Sequence, residues 1–366
     1  MGRRAVNTRT ARCHRGFMGW QRFLGHAEHV LRRTERGYEP PAPVEDDEES
    51  APRRRIGGRA LTIVLLVPVL LFLGIAVLRV GGIDGNVVTV PALALTPYIA
   101  AAGGLLVLIA LAFGRRIIAL AVLIMAVSLG VLLLPRIQGN DQPVVHGVHV
   151  RVLAANLNDG KVSAATIEKL VLDNKVDIAV LPELSRAETP GLDEPGIFDA
   201  LPYRVLDPGV VGSGDGSGIL SRFPLRQTSL VEALELSMPS AVVDLPGRDD
   251  IEIVAAHVQS ALHGSADVWR RDLNRLPPTL PARVRMLAGD FNATWDHATF
   301  RHLLDSGYLD AAEQTGNGLV PTWAGWGPPL TIDHVLFDRR CAVRDYQVLD
   351  LPGSDHNAIL ADLQLP

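Results

Sequence analysis

Three uncharged apolar runs crowd into residues 60–135, and no other feature restricts the chain as much. Residues 60–78, 91–114 and 117–135 hold nineteen, twenty-four and nineteen consecutive positions without a charge. A helix needs about 20 apolar residues to cross a hydrocarbon layer of ~30 Å. A soluble core can supply one such run, not three in close succession. Three transmembrane helices within roughly 56–136 are therefore expected. Pro68 and Pro97 fall inside the first two runs, where neighbouring helices can re-satisfy a kinked backbone. The first run also starts too far into the chain for an ordinary secretory signal.

Arginine placement sets the orientation. Arg53, Arg54, Arg55 and Arg59 precede the first run, and Arg115 and Arg116 join the second to the third; the opposite side carries only Arg79 and Arg136. The positive-inside rule then predicts a cytoplasmic N-terminus. Three crossings put everything after about residue 136 outside the cytoplasmic membrane. Residues 1–55 carry nine Arg before residue 38 and then the acidic cluster Glu45, Asp46, Asp47, Glu48 and Glu49. That composition predicts a disordered cytoplasmic tail. Cys13 and Cys341, far apart and alone, exclude a disulfide scaffold and a thiolate metal cluster.

From residue 144 the chain becomes polar and turn-rich. Strand-like runs occupy 148–156, 176–183, 251–257, 283–290 and 330–337. Ser163 is placed to cap a helix whose apolar face is Ile167, Leu170 and Val171, ending near Asn174. Further helices are expected over 265–276 and 296–306, the latter with Phe300, Leu303 and Leu304 on one stripe. Strands interleaved with helices over ~220 residues indicate a layered α/β domain spanning 144–366.

Each strand-like run ends in something polar. The first ends at Asn156 and Asn158, the second at Glu183, the third at His257 and the fourth in Gly289-Asp290-Phe291-Asn292. Ile332-Asp333-His334 and Ser354-Asp355-His356 follow. Gathered at one sheet edge, these ends supply carboxylates, imidazoles and carboxamides to a single cleft. That inventory suits phosphoester hydrolysis assisted by a hard cation, Mg²⁺ or Mn²⁺, which prefers oxygen ligands. A His paired with a carboxylate can orient or accept the proton of the attacking water. No HExxH pair and no GxSxG elbow is present, which disfavours a zinc protease and a serine hydrolase. Taken singly, Glu183 reads as a solvated strand end and the GDFN tetrapeptide as a turn. His334 reads as structural, and His146, His149, His263, His297 and His302 read as packing or surface residues.

In order, Asn156, Leu181-Pro182-Glu183-Leu184, Gly218-Ile219-Leu220-Ser221-Arg222-Phe223-Pro224, His257, Gly289-Asp290-Phe291-Asn292, Ile332-Asp333-His334 and Ser354-Asp355-His356 resemble the endonuclease/exonuclease/phosphatase superfamily. The resemblance covers about residues 148–366 and implies a four-layered α/β sandwich, two central mixed sheets flanked by helices. It implies Glu183 as the main metal ligand, with Asn156 and Asp355 assisting. Asp290 would align or activate the attacking water, and Asn292 would hold a phosphate oxygen. His356 would contact the phosphate or act as base, oriented by Asp333. His257 would stabilise the pentacovalent state or assist departure of the leaving group; Arg222, separately, is expected to bind substrate through its charge. An amide at Asn158, where some members carry an acid, argues against a second metal, and Val-Gln-Ser after His257 replaces a Pro-containing turn of many relatives. With three spans ahead of it, the domain further resembles the membrane-bound teicoplanin-resistance phosphatases of actinomycetes.

Charge narrows the substrate. Residues 144–366 carry 18 basic and 30 acidic side chains, a net charge of −12, against −5 for the whole chain. Nucleases draw most of their affinity from cations along many phosphates. Arg186, Arg204, Arg222, Arg270 and Arg271 remain available for one or two phosphates. The expected partners are therefore a small or lipid-linked phosphorylated substrate and the lipid bilayer, with nucleic acid less favoured; an extracytoplasmic nuclease is the alternative. The loop from Thr322 to Pro329, with Trp323 and Trp326, either dips toward lipid or packs on the sheet.

Overall fold

The apolar runs do fold as helices, though not as the three continuous ones expected. In the computed structural model, which describes residues 56–366 apart from 233, 248 and 249, α1 is Ile56–Gly81 and α4 is Arg116–Gln138. The tail expected at 1–55 lies outside the described residues. The middle run is broken into α2 (Thr89–Ala94) and α3 (Thr96–Ala112), with Leu95 between them out of helical geometry (φ −85°, ψ 5°). Pro97 thus stands in the first turn of α3, where a missing N–H is harmless, instead of kinking one long helix. Two helices, Thr62–Gly81 and Arg116–Gln138, are long and apolar enough to cross a membrane; α3 has 17 residues.

Twelve strands among the described residues build two six-stranded mixed sheets. The first contains β1 (His149–Ala154), β2 (Ile178–Pro182), β3 (Tyr203–Asp207), β4 (Ser217–Ser221), β11 (Ala342–Leu349) and β12 (Ala358–Gln364), in the order β11-β12-β1-β2-β4-β3. The second contains β5 (Leu225–Thr228), β6 (Ser240–Val243), β7 (Ile251–His257), β8 (Arg285–Asp290), β9 (Tyr308–Asp310) and β10 (Asp333–Asp338), in the order β5-β6-β7-β8-β10-β9. Only β1–β2 and β7–β8 run parallel. One apolar core lies between the sheets. On the far side of the first sheet stand α5 (Ala164–Asn174) and α6 (Pro195–Ala200), and on that of the second α7 (Ala266–Arg275) and α8 (Ala298–Asp305). The expected α/β sandwich is thereby present. Ser163 and Ser265 accept N–H bonds at the starts of α5 and α7, as N-cap serines do.

Strand parity explains the layering. In β7, Ile251, Ile253 and Ala255 enter the inter-sheet core, while Val254 and Ala256 face the α7–α8 layer. Gly289 in β8 has φ +135°, and a Cβ there would stand 2.1 Å from the carbonyl oxygen of Ala256. The two parallel strands that end in His257 and Asp290 can approach this closely only over a glycine. Gly289→Ala is therefore expected to destabilise the fold by at least about 2 kcal/mol. A thermal midpoint unchanged by this substitution would contradict the reading.

The helical segment is built into the sandwich. Arg79, near the end of α1, donates to Asp296 Oδ1 at 2.8 Å, and Arg136, near the end of α4, donates to both Asp296 oxygens at 2.8 Å. Asp296 is fully buried. Asp84 accepts bonds from the Thr299 N–H and hydroxyl in the first turn of α8, and Val90 of α2 packs among Trp269, Phe291 and Phe300. The Tyr98 hydroxyl donates to the Pro329 carbonyl at 2.6 Å.

Candidate active site

Register brings three of the expected residues into one row. His257 is paired with Asp290 across β7–β8, and Asp333 with Asp290 across β8–β10. Parity turns all three inward, since Ala255, Ala288 and Val335 two positions away lie in the inter-sheet core. The same rule turns His334 the other way, toward Leu336. It is fully buried, with Nδ1 2.9 Å from Asp310 and Nε2 2.9 Å from the Ala293 carbonyl, in the structural role expected.

The first sheet supplies the other half. Asn156 continues the inward face of β1. Glu183 follows β2, where parity would send its side chain outward, because Ile178 and Val180 are the inward residues. Its backbone adopts φ +58°, a left-handed conformation that costs a non-glycine residue about 1–2 kcal/mol. Asn292 also has positive φ, +45°. Strain at these two positions is the kind found where a fold sacrifices stability to aim side chains.

The halves meet through the Asn156 amide, which donates to Glu183 Oε1 (3.0 Å) and Asp290 Oδ2 (3.2 Å). The Asn292 N–H donates to Asp290 Oδ1 (2.8 Å), and its amide nitrogen donates to the Val258 carbonyl (2.9 Å). His356 Nδ1 lies 2.9 Å from Asp333 Oδ2, which also accepts from the Thr322 hydroxyl at 2.7 Å. His356 Nε2 is 3.8 Å from Asp290 Oδ2, and His257 Nε2 is 4.0 Å from Glu183 Oε1. Eight of the expected residues thus share one site. Asp355 stands on its wall, holding the Trp323 indole N–H at 2.9 Å.

Arg222 is not among them. It follows β4 at the end that pairs with Ile178, the far end of β2 from Glu183, and it is bound to Asp177 at 2.8 Å. Antiparallel pairing separates the two, so Arg222 has no part in the cleft. Arg270 and Arg271 are likewise paired, with Asp267 and Asp272. Thr322, the first residue of the tryptophan loop, braces Asp333; a lone hydroxyl in a loop carries no sequence signal for that role.

Burial and charge set the protonation states. Burial, then the neighbouring Asp333 carboxylate, pushes Asp290 up to about 7, and burial raises Glu183. Burial alone would lower His356, but the carboxylates of Asp333 and Asp290 outweigh it and raise the ring to about 10. Burial lowers His257 to about 4, and the charge of His356 adds to this. A raised carboxyl is stabilising while protonated and destabilising once ionised. With divalent ions chelated, Asp290→Asn is therefore expected to gain stability over the parent as pH rises through about 7. Unfolding curves at about pH 5 and about pH 8 check this; a stability gap that does not widen with pH contradicts it.

Glu183, His257 and Asp290 offer ligand atoms within 4.8 Å of one another, as do Asp290, Asp333 and His356. A buried carboxylate, Asp290, and a half-buried one, Glu183, bridged by a neutral amide and both raised toward protonation, form an oxygen-rich and electrostatically unsatisfied set. A hard divalent cation fits that set. The cleft above it has a volume of about 750 Å³, and among the described residues no Arg or Lys lines it.

A model of the Endonuclease/Exonuclease/phosphatase family matches residues 151–356, which contain every residue of the cluster. Solved structures similar to the chain include an endonuclease/exonuclease/phosphatase from Beutenbergia cavernae (19% identity over 59% of this chain and 72% of that one, TM-score 0.47). Others are the human Nocturnin catalytic domain with bound sulfate (16%, 61% and 97%, TM-score 0.48) and D. rerio TDP2 complexed with a single-strand DNA product (15%, 59% and 98%, TM-score 0.47). No curated protein matches the chain. With the family model spanning more than half of its length, this chain belongs to the endonuclease/exonuclease/phosphatase family.

Proposed function

We propose that the chain is a membrane-anchored, divalent-metal-dependent phosphoesterase that hydrolyses a phosphate or pyrophosphate ester, small or lipid-linked, outside the cytoplasmic membrane. The observation that carries this reading is the joining of Glu183, Asn156, Asp290, Asn292, His257 and the His356–Asp333 pair at the floor of one cleft. Glu183 and Asn156, with Asp290 beside them, would hold Mg²⁺ or Mn²⁺, which when bound supplies charge stabilisation at phosphorus. Asp290 is placed to align the attacking water. His356, kept cationic by Asp333, offers its Nε2–H to a phosphate oxygen. His257 stays neutral near pH 7, able to donate or accept one hydrogen bond beside Glu183.

The membrane part of the proposal rests on α1, α3 and α4. Their outer faces are apolar and uncovered, with Leu70 61% and Ile117 86% exposed. The end of α1, the start of α3 and the end of α4 all contact the catalytic layers, through Arg79, Tyr98 and Arg136. That common side agrees with the orientation drawn from arginine placement, and 17 residues is the lower limit for a crossing helix. Three helices ahead of the domain also favour the closer resemblance to membrane-bound teicoplanin-resistance phosphatases. The nuclease alternative needs a cationic path through the cleft, and its lining has no Arg or Lys among the described residues. The test is the full chain in detergent with Mg²⁺, offered polyprenyl pyrophosphate, phospholipid and plasmid DNA. Turnover of a lipid substrate that stops on chelation is expected; rapid DNA nicking without lipid turnover refutes the proposal.

A further inference from the structure

Phosphoryl chemistry occupies only part of the cleft. Another part is apolar: Val90, Pro91 and Leu95 come from α2 and its end, and Leu262, Trp326 and Leu330 come from two loops. This surface is open, since Leu262 is 45% and Trp326 76% exposed. It is also continuous with the helical segment, because Leu95 leads directly into α3 and residues 87–114 contain no charge. The polar end sets Asp159, Glu183, Asp290 and Asp355 against the cationic ring of His356, with no Arg or Lys among the described lining residues, so it adds little long-range attraction for a soluble phosphate.

We propose that this apolar strip is a subsite for the hydrocarbon chain of a membrane lipid whose phosphate rests on the Glu183–Asp290–His356 floor. The proposal rests on the phosphoesterase reading and extends it. It makes α2 a wall of the substrate site as well as a link between membrane helices. Each methylene drawn from water favours binding about fourfold, which supplies the affinity that the acidic walls withhold. Trp326 is held in place by an edge-on contact with Trp323, 6.2 Å between ring centroids. Trp323 in turn is tied to Asp355 and bridged to Leu330 and His356. The chain subsite and the phosphate subsite are therefore mechanically joined through one loop.

The experiment uses the full chain in detergent with Mg²⁺ and compares dimethylallyl with farnesyl pyrophosphate, whose reacting ends are alike and whose chains differ. The farnesyl compound is expected to have a kcat/KM at least about tenfold higher, chiefly through KM. In a Leu95→Gln/Leu262→Gln double variant that ratio is expected to fall about tenfold; micelle partitioning is common to both proteins and cancels. A second measurement does not need turnover: a farnesyl phosphate carrying a diazirine in its chain is photolysed on the protein and the label mapped. Label on Val90–Leu95, Leu262 or Trp326 supports the subsite. Label confined to the outer faces of α1, α3 and α4, or a chain preference that survives the double variant, overturns it. Hydrolysis without chain preference and without that labelling sinks the subsite and spares the phosphoesterase reading. Labelling at α2 without hydrolysis of any phosphate ester does the reverse.

Discussion

Glu183→Gln is expected to lower kcat/KM by at least about a thousandfold, a loss of about 4 kcal/mol of transition-state stabilisation. The substitution keeps the size and the hydrogen bond from Asn156 but removes the charge that faces Asp290 and His257. A cation held there would lose its principal anionic ligand. The same variant should therefore lose the rise in thermal midpoint that saturating Mg²⁺ or Mn²⁺ confers on the parent, since a ligand at a hundred times its Kd stabilises by about 2.7 kcal/mol. The two readouts together separate a catalytic defect from a folding defect. Turnover within tenfold of the parent, with the metal-induced shift intact, would remove Glu183 from the site. His356→Ala should cost roughly a hundred- to ten-thousandfold, the range for a positioned acid or base, because Asp333 would then have no ring to orient.

Asp296→Ala is expected to be the most damaging substitution outside the cleft. Asp296 is fully buried and meets two arginines, each less than a tenth exposed. Removing the anion leaves both cations unpaired in a poorly solvated place, a loss of about 3–5 kcal/mol. For a domain of this size that lowers the thermal midpoint by roughly ten degrees. The pH dependence follows with its sign. Burial alone would raise the Asp296 carboxyl, but Arg136 and Arg79 outweigh it and hold it below the usual range. A depressed carboxyl stabilises above its unfolded value near 3.8 and ceases to do so as pH falls through its folded value, so this joint loosens only in strong acid. Replacing all three residues with apolar ones of similar size should recover much of the loss. An Asp296→Ala midpoint within a degree or two of the parent would show that the arginines find other partners.

The layered fold was readable because its inner strands are buried on both faces and so stand out as apolar runs ending in polar residues. β1, β2, β7 and β8 fall within predicted runs, β10 overruns its own by one residue, and α5, α7 and α8 fall close to their predicted bounds. By contrast β4, β6 and β12, inner and just as buried, lie in no predicted run. The outer strands β3, β5 and β11 mix exposed and buried positions and have no such signature. Residues of the site were legible where they end inner strands. Parity, applied to Val335 and Phe337, even separates Asp333 from His334. Arg222 failed for want of topology: nothing in Ser221-Arg222-Phe223-Pro224 tells which end of β2 it lies beside. The break at Leu95 failed for a related reason. Hydropathy registers the absence of charge over residues 91–114 but not the direction of the chain, so a short cross-piece and a spanning helix look alike.

The Arg79–Asp296–Arg136 joint bears on how such a protein would meet its substrate. It ties the ends of two helices to the sandwich, and Asp84 and Tyr98 add two further attachments. With those helices crossing a bilayer as proposed, the mouth of the cleft would ride at one height and one tilt above the lipids. Encounter would then be a search in a plane, governed by molecules per unit area and by lateral traffic within a single leaflet. Raising the concentration of a freely dissolved phosphate would do little for such an enzyme, whereas diluting its substrate with inert lipid would slow it in proportion.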